Sequence, residues 1–331
     1  MHISEIWEGK GVMPVTFRIL LSPLSLLYAV GWEGYLGVYK WGLKTAKHPH
    51  SPIICVGNLI SGGSGKTPMT LHLVDVLREL GYDVVVSCSG YGSPKSEAAT
   101  VATDGQQDAR IWGDEAALFR RKRPDLPLIV GRARVEAAEL CQREFPNAVL
   151  IMDDGFQHLP LKKDLTVLLD PENPKNRMCL PAGPYREPRW NRKRADLVIP
   201  GVFRIEESVS FTNPDGETVN PPATCATLLA LAQPEKVIRS VEAMDCRVAE
   251  RVLLPDHDPL TSGNLLDNLP TDKPTVVTGK DWVKLRNRPD VGEREFLILN
   301  HEVRVEPYAQ FKDWLKSKLD GIQKANHSGP G

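Results

Sequence analysis

The chain has 331 residues, with 41 basic and 42 acidic side chains and a formal net charge of −1. That length suggests about two domains able to bury full cores, and the balanced charge gives no case for a nucleic-acid binder. The six cysteines (Cys55, Cys88, Cys141, Cys179, Cys225 and Cys246) form no C-x-x-C pair. They read as reduced, cytosolic thiols and not as a zinc site.

The first element is a nearly uncharged run, Ile19 to Trp32, of 14 residues that include Pro23. Crossing a bilayer takes about 20 residues, so the run is too short to span, and no small-residue cleavage site marks a signal peptide. Trp32, Tyr35, Tyr39 and Trp41 follow, interleaved with Lys40, Lys44 and Lys47. Aromatic rings beside lysines suit the headgroup level of a membrane surface. A helix pair packed on the protein's own core is the other reading, and the residues leave both open.

Pro52 to Val56, "PIICV", reads as a strand buried on both faces, as in a parallel sheet. "GNLISGGSGKTP" (Gly57 to Pro68) follows, and then Leu71, Val74, Leu77 and Leu80 recur at helical spacing until Gly81. Strand, glycine-rich loop and helix start form the context of a phosphate loop, in which backbone N–H groups surround an anion. The usual G-x-x-x-x-G-K-[ST] spacing would place a glycine at position 60, where this chain has Ile60. Ile60 matters little if residues 62 to 67 form the tight part. Gly62, Gly63 and Gly65 then supply the unusual φ values, with Asn58 and Ser64 beside them. Lys66 brings charge to the β- and γ-phosphates, and the Thr67 hydroxyl suits magnesium. A bare glycine-rich turn with a capping threonine is disfavoured because all five features agree.

Further buried strands read at Asp83–Ser87, Leu126–Val130, Ala148–Asp154, Leu165–Asp170 and Ala195–Pro200. Strands alternating with helices predict a P-loop NTPase-like, doubly wound, mostly parallel α/β sheet whose ligands bind beyond the strand carboxyl ends. Residues 206–225 carry turn residues and read as a linker or small hairpin. A smaller α/β domain follows, with a helix around Val237, Val241 and Met244 and strands at Thr275–Gly279 and Phe296–Asn300. Tyr308, Phe311, Trp314, Leu315 and Leu319 mark a last amphipathic helix. The expected divisions are 1–50, 51–205, 206–225, 226–322 and a frayed tail, 323–331.

Asp153 and Asp154 end a hydrophobic strand in the sheet of the loop, where a magnesium-binding acid belongs. "GDEAALFR" (Gly113 to Arg120) opens a helix. Asp114 there is either its N-cap or a base for an acceptor hydroxyl, and Glu115 either a first-turn acid or a metal support. His257 in "PDHD" stands between carboxylates, which on spacing alone describes a surface histidine. Arg120–Arg123 and Tyr185–Arg194 are basic runs, ordinarily solvated, that suit phosphorylated substrate or anionic lipid.

In this order, "PLSLLY", "GNLISGGSGKTP", "SGYG", "GDEAAL", "GRARVEAA", "DDGFQH", "LPAGPYREP", "PDH" and "TGKD" resemble the tetraacyldisaccharide 4'-kinase (lipid A 4'-kinase) family over nearly the whole chain. The shifted glycine is that family's form of the loop. The resemblance implies transfer of the ATP γ-phosphate, with Mg2+, to the 4'-hydroxyl of a tetraacylated glucosamine disaccharide 1-phosphate, giving lipid IVA. It implies that Asn58, Gly62, Gly63, Ser64, Gly65, Lys66 and Thr67 bind nucleotide. Asp114 becomes the base, helped by His257 once the domains close around both substrates, with Lys66 also catalytic. Thr67, Glu115, Asp153 and Asp154 serve the metal, and Arg134, Gln157, His158 and Arg186 the substrate. The N-terminal segment becomes an attachment to the cytoplasmic face of the inner membrane, with no obligate protein partner and no nucleic acid. Four positions depart from the family pattern: Ser89 for an arginine, Asp258 for a second histidine, Gly279 for a glutamate, and "LLALAQPEK" without G-I-G. The alternatives are a nucleotide-switch ATPase of the partitioning or metal-insertion type and a non-catalytic nucleotide-binding membrane protein. Switch proteins often carry a lysine where this chain has Ser61, and they give no reason for "LPAGPYREP".

Overall fold

The computed structural model describes residues 3–63, 65–102, 108–267 and 269–327. Helices α1 (Ile3–Glu8) and α2 (Val12–Lys40) come first. The first domain runs β1 (Ile53–Asn58), α3 (Lys66–Glu79), β2 (Val84–Cys88), β3 (Thr100–Val101), α4 (Ala109–Trp112), α5 (Asp114–Lys122), β4 (Leu128–Val130), α6 (Arg134–Glu144), β5 (Val149–Asp153), β6 (Leu165–Leu169) and β7 (Leu197–Ile199). The second part runs β8 (Arg204–Thr212), β9 (Thr218–Val219), β10 (Thr224–Ala230), α7 (Pro234–Glu242), β11 (Arg247–Leu254), β12 (Thr275–Thr278), α8 (Gly279–Leu285), β13 (Phe296–Glu306) and α9 (Tyr308–His327).

The first sheet has the order β3-β4-β2-β5-β1-β6-β7 and is parallel except for β3. Its central strands are mostly apolar and fully buried because both faces are covered. Ile54, Val56, Val84, Val86 and Ile151 join Leu73 and Leu77 of α3 and Phe119 of α5 in one core. Ile53, Val85, Leu150 and Met152 pack on the other side with Ala137, Ala138 and Leu140 of α6. The chain leaves β1 between β5 and β6, so the loop after β1 opens at the topological switch point.

The second sheet has the order β11-β10-β12-β13-β8-β9. Residues 206–225 are its antiparallel edge: β8 pairs with β13 from Arg204↔Glu306 to Thr212↔Ile298, and β9 pairs with β8. Helix α9 leaves this sheet and returns to the first domain, where Phe311, Leu315 and Leu319 are fully buried in the α3 core. His72 of α3 accepts a hydrogen bond from the Val305 amide of β13 at 3.2 Å, a second tie between the two parts.

The N-terminal run behaves differently from its sequence reading. Pro23 does not interrupt it, and α2 is one helix of 29 residues. Proline leaves a carbonyl one turn back without a partner. Here that carbonyl is Ile19 O, and the Ser22 hydroxyl takes it at 2.8 Å. At 1.5 Å per residue α2 is about 44 Å long, and it is long and apolar enough to cross a membrane by length and composition. One face is bound to the body. Ser25 Oγ donates to Cys179 O at 2.7 Å, Tyr28 OH donates to Arg186 O at 2.7 Å, and Glu33 accepts from Trp190 Nε1 and Asn191 Nδ2. Phe17, Leu20, Leu24 and Leu27 lie exposed, a turn or so apart.

Candidate active site

The phosphate loop begins in a crowded place. A Cβ on Gly57 would lie 2.5 Å from Phe156 Cβ, so only glycine lets the segment after β5 approach β1 this closely. Asn58 Nδ2 donates to Ile60 O at 2.6 Å, and Gln157 Nε2 donates to Asn58 O at 2.9 Å. Ile60 forms an antiparallel bridge with Tyr185, flanked by Arg186 N→Leu59 O at 2.7 Å and Ser61 N→Pro184 O at 2.8 Å. Position 60 is therefore extended backbone, which explains why it needs no glycine. The positive φ values fall at Gly62 (101°) and Gly65 (78°) and not at Gly63, which narrows the expectation from three glycines to two. Gly65 then serves as the N-cap residue of α3. Ser64 lies outside the described residues. A Cβ on Gly62 would meet Gln233 Nε2 at 3.4 Å and Ala232 Cβ at 4.0 Å, so the β10–α7 connection of the second domain lies over the loop.

The two aspartates after β5 have different surroundings. Asp153 is buried and accepts from Thr70 Oγ1 at 3.1 Å. Burial, and next the charge of Glu115, push its carboxyl up to about 7 in spite of Lys66 and Lys280. Asp154 has a left-handed φ of 55°. Burial works to raise its pKa, but Lys66 and Arg186 outweigh this and hold it below the usual carboxylate range. Arg186 Nη1 reaches both Asp154 oxygens, at 2.9 and 3.0 Å, and Lys66 Nζ lies 3.6 Å from Oδ2. Arg134 is buried, donating to Asp153 O at 2.7 Å and Ser87 Oγ at 3.3 Å. It braces the end of β5 from within the fold.

Asp114 is the first residue of α5, and Gly113, at φ 84° and ψ 161°, holds the N-cap position. The carboxylate does not cap its helix. Its Oδ2 accepts from His257 Nδ1 at 2.9 Å, and its Oδ1 is buried without a hydrogen-bond partner. Burial raises the Asp114 pKa, yet the His257 hydrogen bond and the Lys280 charge outweigh it and leave the group ionised below the ordinary range. His257 moves the other way, raised first by the Asp114 hydrogen bond against burial. Its φ is 63°, and the Tyr91 ring packs 4.9 Å from its own. The structure brings the expected pair together across the two domains.

Glu115 accepts from Ser89 Oγ at 3.4 Å and lies 3.6 Å from Lys280 Nζ. Among the described residues no group of three or more His, Cys, Asp or Glu side chains is poised to hold a metal unaided. Magnesium does not require one, since it takes one or two carboxylates with phosphate oxygens and waters. Glu115, Asp153 and the Thr67 hydroxyl fit that pattern, and two mutually repelling acids favour a cation between them.

Gln157 also donates to Glu187 Oε1 at 3.0 Å, and Arg194 reaches Glu187 Oε2 at 2.5 Å while its guanidinium stacks 4.3 Å over the Phe156 ring. Here Gln157 supports the loop. His158 Nε2 is buried without a partner, and burial pushes its pKa down to about 4. Sequence reading passed over Thr70, Glu187, Gln233 and Lys280. "TGKD" offered the only signal for Lys280, and "YREP" contained Glu187 inside a basic run. At the departures from the family pattern, Ser89 meets Glu115. The Asp258 carboxylate accepts from Leu260 N at 2.8 Å in a turn. A Cβ on Gly279 would lie 2.7 Å from Leu118 Cδ1 of α5.

A family model described as tetraacyldisaccharide-1-P 4'-kinase matches residues 17–320. The tetraacyldisaccharide 4'-kinase of Shewanella sp. (strain ANA-3) is 31% identical over 337 residues, covering 98% of this chain and 96% of that one. That of Shewanella pealeana is 33% identical over 338 residues, covering 97% and 98%. Among solved structures, LpxK from Aquifex aeolicus in complex with ATP superposes with a TM-score of 0.77 at 25% identity, covering 91% of this chain and 99% of that one.

Proposed function

The chain belongs to the tetraacyldisaccharide-1-P 4'-kinase family, and from that premise we propose how its own residues carry out the transfer. It is an ATP-dependent kinase of lipid A biosynthesis, phosphorylating the 4'-hydroxyl of a tetraacylated glucosamine disaccharide 1-phosphate to give lipid IVA.

The observation that carries the mechanism is the half-buried Asp114–His257 contact of 2.9 Å, which joins the two domains. Backbone N–H groups around Gly62 and Gly65, with Lys66, hold the ATP phosphates. The acceptor oxygen attacks the γ-phosphorus while Asp114, through its unpartnered Oδ1, takes the hydroxyl proton. The bond from γ-phosphorus to its bridging oxygen breaks, and the electron pair leaves with ADP. His257 keeps Oδ2 occupied, so Oδ1 faces the acceptor. Magnesium, when bound with ATP, would be held by Thr67, Glu115 and Asp153 and would neutralise charge on the phosphate oxygens. Asp154 holds Lys66 and Arg186 in place. Arg134 and Arg186 bond the aspartate pair, and with Gln157 and His158 they serve the acceptor, Arg186 offering its charge to an anionic group.

Helix α2 lies on the cytoplasmic surface of the inner membrane in this reading. Its Ser25–Glu33 side is bonded to the catalytic body and its Phe17–Leu27 side faces acyl chains. The test is ATP consumption with and without the disaccharide lipid, with mass analysis of the product. Acceptor-dependent turnover that adds one phosphate to the distal sugar supports the kinase reading. Equal hydrolysis without acceptor would favour a nucleotide switch.

A further inference from the structure

We propose that Lys280 is a catalytic residue, delivered by the second domain to the phosphoryl group in flight. Three consecutive residues of α8 place it. Gly279 lets the helix approach α5, since a Cβ there would lie 2.7 Å from Leu118 Cδ1. Asp281 is fully buried and locks the helix start, accepting from Thr278 Oγ1 at 2.8 Å and Ala230 N at 3.2 Å. Between them Lys280 projects to the acids of the first domain, with Nζ 3.6 Å from Glu115 Oε1. Its charge also acts on Asp114 and Asp153. The ammonium thus stands beside Glu115, an acid expected to hold magnesium and the chain neighbour of the acceptor's base. That is where an attacking oxygen and a γ-phosphoryl group must meet.

Lys66 serves the nucleotide from one side and Lys280 the transferring group from the other. During transfer the acceptor oxygen–phosphorus bond forms, the bridging bond to ADP breaks, and the proton goes to Asp114. Lys280 donates hydrogen bonds to the equatorial oxygens and keeps its own protons. Interactions that strengthen as charge spreads in the transition state lower the barrier, whereas ground-state contacts do not.

The inference rests on the kinase reading, and the experiment separates the two. The full-length protein is titrated with ATP and with ADP–aluminium fluoride, a mimic of the transferring group, in the presence of magnesium. Lys280→Met is expected to bind ATP within about 3-fold of wild type and to lose about 100-fold or more in ADP–aluminium fluoride affinity and in kcat, the size of one lost oxyanion donor. Lys280→Arg, which keeps the Glu115 ion pair and the fold, should recover part of both losses. Equal loss of ATP and mimic binding, or kcat within about 3-fold of wild type in a folded variant, would overturn the role. Failure of wild type to bind the mimic or to phosphorylate the lipid would instead refute the kinase reading.

Discussion

His72 provides a measurable link between the phosphate-loop helix and the second sheet. Its Nε2 accepts the Val305 amide at 3.2 Å, and its ring stacks on Phe311 at 5.9 Å. An accepting nitrogen cannot carry a proton, so the fold requires neutral imidazole. Burial accordingly pushes the pKa from 6.5 down to about 4, with Asp75 offsetting part of the shift. Below pH 6.5 the unfolded chain binds a proton that the folded chain refuses, so acid favours unfolding. The contribution is whole above 6.5, declines as pH falls and levels off below about 4. Linkage gives a loss of roughly 2 kcal/mol at pH 5 and about 3 kcal/mol at pH 4 relative to neutral pH. The assay is urea denaturation across pH 7.5 to 4.5 for wild type and His72→Gln, whose amide oxygen can accept the same bond without titrating. The variant should lose most of this pH dependence. Identical slopes in the two proteins would refute the reasoning.

Lys66→Ala should leave the thermal melt within a few degrees of wild type while reducing kcat by at least about 100-fold, because its role is electrostatic stabilisation of phosphate; turnover assays and calorimetry on the same sample check both. Gly57→Ala forces a methyl to 2.5 Å from Phe156 Cβ, and overpacking of this kind costs about 1–3 kcal/mol, read as a lower urea midpoint with unchanged slope. Replacing Leu20, Leu24 and Leu27 with Gln should move the protein from the membrane to the soluble fraction without altering the melt. All three are exposed.

The first domain was largely legible from sequence because its central strands are buried on both faces. β1, β2, β5 and β6 therefore appear as predominantly apolar runs, and the glycine–lysine–threonine segment follows β1. The second sheet was half hidden. β11 is an edge strand, Arg247–Leu254, whose charged residues face solvent and break any apolar run. β10 begins with Thr224, Cys225 and Ala226, small residues that fit a crowded centre but carry little hydrophobic signal. β8 was masked by its glutamates, Glu206 and Glu207, which are exposed in the long pairing with β13. In the site, Lys66 and the paired aspartates follow from local pattern. The Asp114–His257 contact spans 143 positions, and the residues alone made His257 a surface histidine until the family resemblance joined the two. Glu187 was missed for a related reason, since its partners Gln157 and Arg194 converge only in three dimensions. Pro23 misled the length of α2 because the rescue of Ile19 O by Ser22 depends on a rotamer.

The most direct test of the account is a double-mutant cycle on Asp114 and His257, measured as kcat for phosphate transfer to the tetraacylated disaccharide lipid. Asp114→Ala should lower kcat by about 100- to 10,000-fold, the range of a lost general base, with ATP affinity preserved. His257→Ala should also lower it strongly. If the 2.9 Å contact makes them one unit, the double variant will be little worse than the poorer single one. Losses that multiply would contradict the account and leave His257 with a separate role.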